Sequence, residues 1–168
     1  MAYDITKRHP AEAALEPDLP ICDAHHHIWD WPGMAYTLDD YVADVAPGTG
    51  HRIETSVFVE CRAFYDQNAP DPLKPLGEVA HVAALAEGGA RDGFRPMQAI
   101  VGHVDMMRGA DAADAIDRMI AAGNGRLRAI RHLMTRVDGS EPGGQVTFPR
   151  HRQGGASDPR QQRQQCTE

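Results

Sequence analysis

Three consecutive histidines, His25, His26 and His27, follow a short apolar run and an acid, in Ile21-Cys22-Asp23-Ala24-His25-His26-His27-Ile28-Trp29-Asp30. If this run is a β-strand, its side chains alternate between two faces, so Asp23, His25 and His27 are expected to project together and His26 the other way. Two imidazoles on one face, about 7 Å apart along the strand at ~3.3 Å per residue, can close on one divalent cation. The chemistry on offer is metal binding or polar catalysis, with His25 and His27 as ligands and Asp23 behind them. A lone histidine on an apolar face is more often a hydrogen-bonded core residue, and His26 is read that way. The run is internal, three residues long and set in a strand-like context, unlike an expression tag.

Those residues need a scaffold, and the chain supplies one in alternating periods. Ile21 to Ile28 reads as the first strand. Thr37-Leu38-Asp39-Asp40 has the form of a capping box, and Leu38, Tyr41, Val42 and Val45 share a helical face, which predicts a helix over 38–46 stopped by Pro47 and Gly48. Ile53 to Glu60 is β-branched and aromatic, the pattern of a buried strand. A helix over 75–87 carries Leu76, Val79, Val82, Ala83 and Leu85 and ends at Gly88-Gly89. Met97 to Val104 reads as a strand, Asp111 to Ala122 as a helix with Ile116, Met119 and Ile120 inward, and Leu127 to His132 as a fourth strand.

Four strands alternating with three helices predict right-handed βαβ crossovers, hence a parallel sheet flanked by helices. In such folds ligands gather at the carboxyl ends of the strands. Polar residues fall at those ends: Glu60 and Arg62 after the second strand, His103 and Asp105 on the third, Arg131 and His132 on the fourth. Glu60 is a candidate to orient a ligating histidine, its alternative being a solvated strand-end carboxylate. Arg131 can grip a substrate carboxylate as a planar fork or make an ordinary ion pair. By alternation Arg131 and His132 cannot both face the site. His103 is a candidate substrate contact, and Trp29 and Trp31 beside Pro32 either wall a pocket or pack on the rim.

Composition narrows the partners. A chain of 168 residues predicts one domain. A formal charge of −7 and no basic stripe argue against nucleic acid, and no apolar run approaches the ~20 residues needed to span a bilayer. The start of the chain lacks the basic and apolar regions of a signal peptide, so a cytoplasmic location is the expectation. Cys22, Cys61 and Cys166 are odd in number and never arranged as C-x-x-C, which indicates neither a disulfide framework nor a zinc knuckle. Residues 1–20 read as an irregular lead-in and 21–136 as the folded part. From Val137 glycine, proline, glutamine and arginine replace the βα rhythm, so 137–168 is expected to be a disordered tail, either regulatory or, as favoured here, translated out of its ancestral frame.

Asp-Ala-His-His-His-Ile-Trp-Asp, followed in order by Phe-Val-Glu-Cys, Val-Gly-His-Val-Asp-Met and Ala-Ile-Arg-His-Leu, resembles the amidohydrolase-related metal-dependent TIM-barrel hydrolases over about residues 20–134. The lactonase-like group is the nearest likeness. The resemblance implies a (β/α)8 barrel, a small carboxylated substrate such as a lactone, and a divalent metal, zinc by ligand type, held by His25 and His27. It implies hydrolysis by metal-activated water, with metal-independent lactonases also known in the group. Decarboxylation is the alternative reaction in the same superfamily.

The chain departs from that pattern in length. It has strand-like segments for about four βα units, where a closed barrel needs eight and about 250 residues. The expected fold is therefore a partial (β/α)8 barrel, a truncated N-terminal half. The general-base aspartate that the resemblance implies on the eighth strand has no counterpart, since Asp138 and Asp158 fall in the tail. A half-barrel exposes an apolar sheet face and an edge, so self-association is expected. A weak or inactive hydrolase and a non-catalytic metal-binding or interaction remnant both follow from this reading.

Overall fold

The computed structural model describes residues 13–45, 50–91 and 93–133. The expected tail over 137–168 and the first twelve residues of the lead-in lie outside them. Along the chain run β1 (Pro20–His26), β2 (Trp29–Trp31), β3 (Met34–Tyr36), α1 (Leu38–Val45), β4 (Arg52–Val59), α2 (Pro75–Gly88), β5 (Arg95–His103), α3 (Ala112–Ala122) and β6 (Leu127–Arg131), all within the unit Met1–His132. β1, β4, β5 and β6 form one four-stranded sheet in that order, and every neighbouring pair is parallel. The four carboxyl ends therefore lie on one edge of the sheet.

Each element has a local cause. At the start of α1 the capping box forms as expected: Asp40 Oδ2 accepts from the Thr37 amide at 2.7 Å and hydroxyl at 2.8 Å, and Thr37 Oγ1 accepts from the Asp40 amide at 3.4 Å. These bonds hold the exposed Asp40 carboxyl below its usual range. α2 buries Val79, Val82, Ala83 and Ala86, while α3 buries Ala112, Ala115 and Met119. Both helices close over the centre of the sheet, where Phe58, Met97 and Ile100 have no exposed surface. Gly102 permits the closest approach, because a Cβ there would lie 2.5 Å from Met119 Sδ and 3.2 Å from Val79 Cγ2.

Three local details differ from the sequence reading. The first strand ends at His26, and the segment after it folds into the antiparallel hairpin β2–β3, in which Trp29 stacks on Trp31 and packs against Tyr36. Gly33, at φ +78°, supplies the left-handed residue in its turn. Ile120 is 55% exposed rather than inward, since the buried stripe of α3 runs through Ala112, Ala115 and Met119 and the next residue lies about 100° further round the helix. Met97, fully buried in β5, sits at φ +51°, where the β4–β5 register shifts between Thr55 and Val57. Its amide donates to Ser56 Oγ at 2.9 Å.

Candidate functional site

The end of β1 carries the sharpest geometry. His25 Nε2 and His27 Nε2 stand 3.2 Å apart with their rings at 80°. His27 Nδ1 lies 2.7 Å from the Val59 carbonyl oxygen. A carbonyl only accepts, so His27 Nδ1 carries the proton and its Nε2 presents a lone pair toward His25. Burial lowers the His27 pKa, which favours the neutral form a ligand requires. The His25 ring has no other hydrogen-bond partner among the described residues, so its Nε2–H donates to His27 unless a cation takes the space between them.

That spacing tests the fit of a metal. Two nitrogens each ~2.0–2.1 Å from one tetrahedral zinc lie roughly 3.3–3.4 Å apart. The observed 3.2 Å matches this edge of the tetrahedron. The donor chemistry fits as well, because a backbone carbonyl on the far nitrogen is the usual device that fixes the tautomer of a ligating histidine. The pair fits two ligand positions, and among the described residues no third His, Cys, Asp or Glu joins it.

Asp23 does not stand where alternation places it. Between Asp23 and His26 the β1–β4 register slips, Asp23 pairing with Ser56 and His26 with Phe58, so three steps along β1 match two along β4. This bulge resets the faces. Asp23 turns toward α1, where its Oδ2 accepts from Tyr41 Oη at 2.7 Å, and its Oδ1 accepts from the His25 amide at 3.1 Å. It touches the histidine pair through the main chain rather than through an imidazole. His26 lies flat on Tyr41, with ring centroids 3.9 Å apart, and its Nε2 is 3.0 Å from Ser56 Oγ. The same Ser56 hydroxyl accepts from the Met97 amide, and burial holds that imidazole neutral with its pKa lowered to about 4. His26 is thus the core histidine the sequence reading made it.

Glu60 is buried, 1% exposed, and does not orient a histidine. Its Oε1 accepts from Arg131 Nε at 2.9 Å, its Oε2 from Tyr65 Oη at 3.2 Å, and its main-chain oxygen from Arg131 Nη2 at 2.6 Å. Two nitrogens of the Arg131 fork are therefore taken by Glu60, and among the described residues Nη1 has no hydrogen-bond partner. The neighbouring Val59 carbonyl performs the orienting role expected of Glu60. The charges of Arg131 and Glu60 oppose one another at His27, the guanidinium disfavouring its protonation and the carboxylate favouring it.

His103, at the end of β5, repeats the device of His27. Its Nδ1 lies 3.1 Å from the Arg131 carbonyl oxygen, so Nδ1 donates and Nε2 keeps its lone pair; burial lowers its pKa. Next to it, His132 meets the His103 ring edge-on at 5.4 Å. β6 ends at Arg131, so the alternation that would separate Arg131 from His132 stops there. His132 Nδ1 accepts from the Met106 amide at 2.9 Å, leaving a buried Nε2–H without a partner among the described residues. Its 3.6 Å approach to Asp105 is hence a contact between a neutral ring and a carboxylate.

Two groups behind the site, one half-buried and one buried, had no sequence signal. Tyr65, which completes the Glu60 cluster, lies in a loop. Glu78, on the apolar face of α2, is 1% exposed; its Oε1 accepts from the amides of Cys61 at 3.2 Å and Ala63 at 2.8 Å, and Oε2 is buried without a partner among the described residues. Burial pushes Glu78 up to about 7. It fastens the turn that follows β4, in which Arg62 adopts φ +65°. Burial also pushes the Cys61 thiol up to about 12, which makes it a poor nucleophile.

Comparison of the chain with protein-family models, with curated proteins and with solved structures gave no match. Among the described residues no helix is long and apolar enough to cross a membrane.

Proposed function

We propose that His25 and His27 are two ligands of a divalent cation, zinc by ligand type, and that the chain carries the N-terminal βα units of an amidohydrolase-related barrel hydrolase acting on a lactone or similar small carboxylated substrate. The observation that carries this reading is the 3.2 Å between the two Nε2 atoms, with the His27 lone pair committed to that gap by the Val59 carbonyl. When bound, such a cation polarises a carbonyl oxygen and lowers the pKa of its water toward neutrality. The chain's own residues bind and orient. Arg131, held by Glu60, offers its remaining Nη1 to a substrate carboxylate. His103 Nε2, held by the Arg131 carbonyl, accepts a hydrogen bond from a substrate hydroxyl.

A second reading, cation binding without turnover, draws on a different observation: the pair has no third protein ligand among the described residues. Zinc equilibrium dialysis with elemental analysis, followed by a screen of lactones, separates the two. One zinc per folded chain and lactone hydrolysis abolished by His25→Ala support the hydrolase. Zinc without turnover supports the binding reading, and a folded chain that takes up no zinc removes both.

A further inference from the structure

The histidine pair depends on a distortion of β1. In a regular strand the Cα atoms of His25 and His27 lie about 7 Å apart and nothing turns their rings together. Here the strand bulges, and Ala24 and His25 have no partners in the β1–β4 register. A bulge frees a main-chain amide, and a freed amide needs an acceptor. Asp23 Oδ1 provides it for His25, while Asp23 Oδ2 is tied to the hydroxyl of Tyr41, itself 3% exposed in α1 and stacked on His26.

We infer that Asp23, anchored by Tyr41, is a positioning residue that sets the spacing of the His25–His27 pair for a cation. Accepting from both the Tyr41 hydroxyl and the His25 amide, the carboxylate bridges a buried helix residue to the strand bulge that presents His25. Tyr41 thereby extends the cation site into α1. This rests on the reading that His25 and His27 hold a cation, and it makes a separate claim about what holds them.

The test uses the full chain and zinc alone, with affinity read by competition against a chromophoric chelator and folding checked by circular dichroism. Asp23→Ala removes both bonds and is expected to weaken zinc by about 10–100-fold, the usual cost of losing a group behind a metal ligand. Asp23→Asn keeps an oxygen for the His25 amide and can donate its NH₂ to Tyr41 Oη, so it is expected to recover most of the affinity; Tyr41→Phe falls between. A folded Asp23→Ala chain with wild-type affinity overturns the inference. So does an Asp23→Asn chain as weak as Asp23→Ala, because charge rather than position would then be at work. If the wild type takes up no zinc, the cation reading fails, and the positioning claim is read in the metal-free chain from the ¹⁵N–¹⁵N coupling across the His25–His27 hydrogen bond. That coupling is expected in the wild type and Asp23→Asn and lost in Asp23→Ala; its survival in Asp23→Ala overturns the claim.

Discussion

Two ends of the same sheet edge treat their polar groups in opposite ways. After β4 and β6, Glu60, Arg131 and Tyr65 satisfy one another, and Glu60 is almost wholly buried in doing so. At the end of β1, His25 and His27 are each held from behind, one by its amide and one by its ring Nδ1, and their Nε2 atoms meet. In the first cluster both carboxylate oxygens of Glu60 and two of the three Arg131 nitrogens are taken, whereas at β1 the two Nε2 atoms meet only each other, 3.2 Å apart. Alternation at the strand ends does not distinguish these roles; the distinction lies in which partner each group has already taken.

The largest expected effect falls on the open pair. Replacing both His25 and His27 by alanine removes zinc uptake while the circular dichroism spectrum is retained, as neither ring belongs to the apolar core; unchanged uptake would erase the contrast between the two ends. The closed cluster should fail differently. Glu60→Ala strands a partly buried guanidinium and is expected to cost about 3 kcal/mol in urea denaturation, near the low end for a broken buried pair. The Glu60→Leu/Arg131→Met double variant should recover part of that loss, because no unpaired charge remains.

The pH dependence sharpens the comparison next. Glu78 has a raised folded pKa, so its contribution to stability is present below 4.5 and lost as pH rises through about 7. The size is on the order of 3 kcal/mol. His26 has a depressed folded pKa, so its contribution is present above 6.5 and lost as pH falls through about 4. Between 4.5 and 6.5 the slopes of Glu78 and His26 oppose, while the lowered pKa values of His27 and His103 add to the rise with pH, so the wild-type profile is expected to be shallower than that of a chain without Glu78. Glu78→Gln removes one of them, so urea midpoints of that variant should climb with pH over this range; parallel curves for the two proteins would refute the assignment. The smallest effect is expected at the exposed Arg118–Asp114 pair on α3, 2.8 Å long, where Arg118→Ala should cost below ~0.5 kcal/mol.

Much of the framework was legible because it rests on short-range rules. The capping box at Thr37, the apolar periods of α2 and the order of parallel strands follow from propensity and pattern. His25 and His27 were legible as a pair from their spacing. The reason they converge was not, because the bulge at Asp23 depends on the register with β4 and on a tyrosine eighteen residues away. The Val59 carbonyl orients His27 and has no signature in a sequence, since every residue carries one. Glu78 sits among apolar residues at a position that periodicity assigns to the core, and only the folded chain brings the Cys61 and Ala63 amides to it. Glu60 and Asp23 were found as residues that matter, with roles that their partners then changed. The alternating pattern also predicted the four-stranded parallel sheet flanked by helices that the described residues form.

The central claim is that the gap between His25 and His27 is a cation site, and X-ray absorption at the zinc edge of the loaded chain tests it most directly. The account predicts two imidazoles with zinc–nitrogen distances of ~2.0–2.1 Å, the remaining positions filled by oxygen. Sulfur scattering at about 2.3 Å, or fewer than two imidazoles, would place the zinc elsewhere and contradict it.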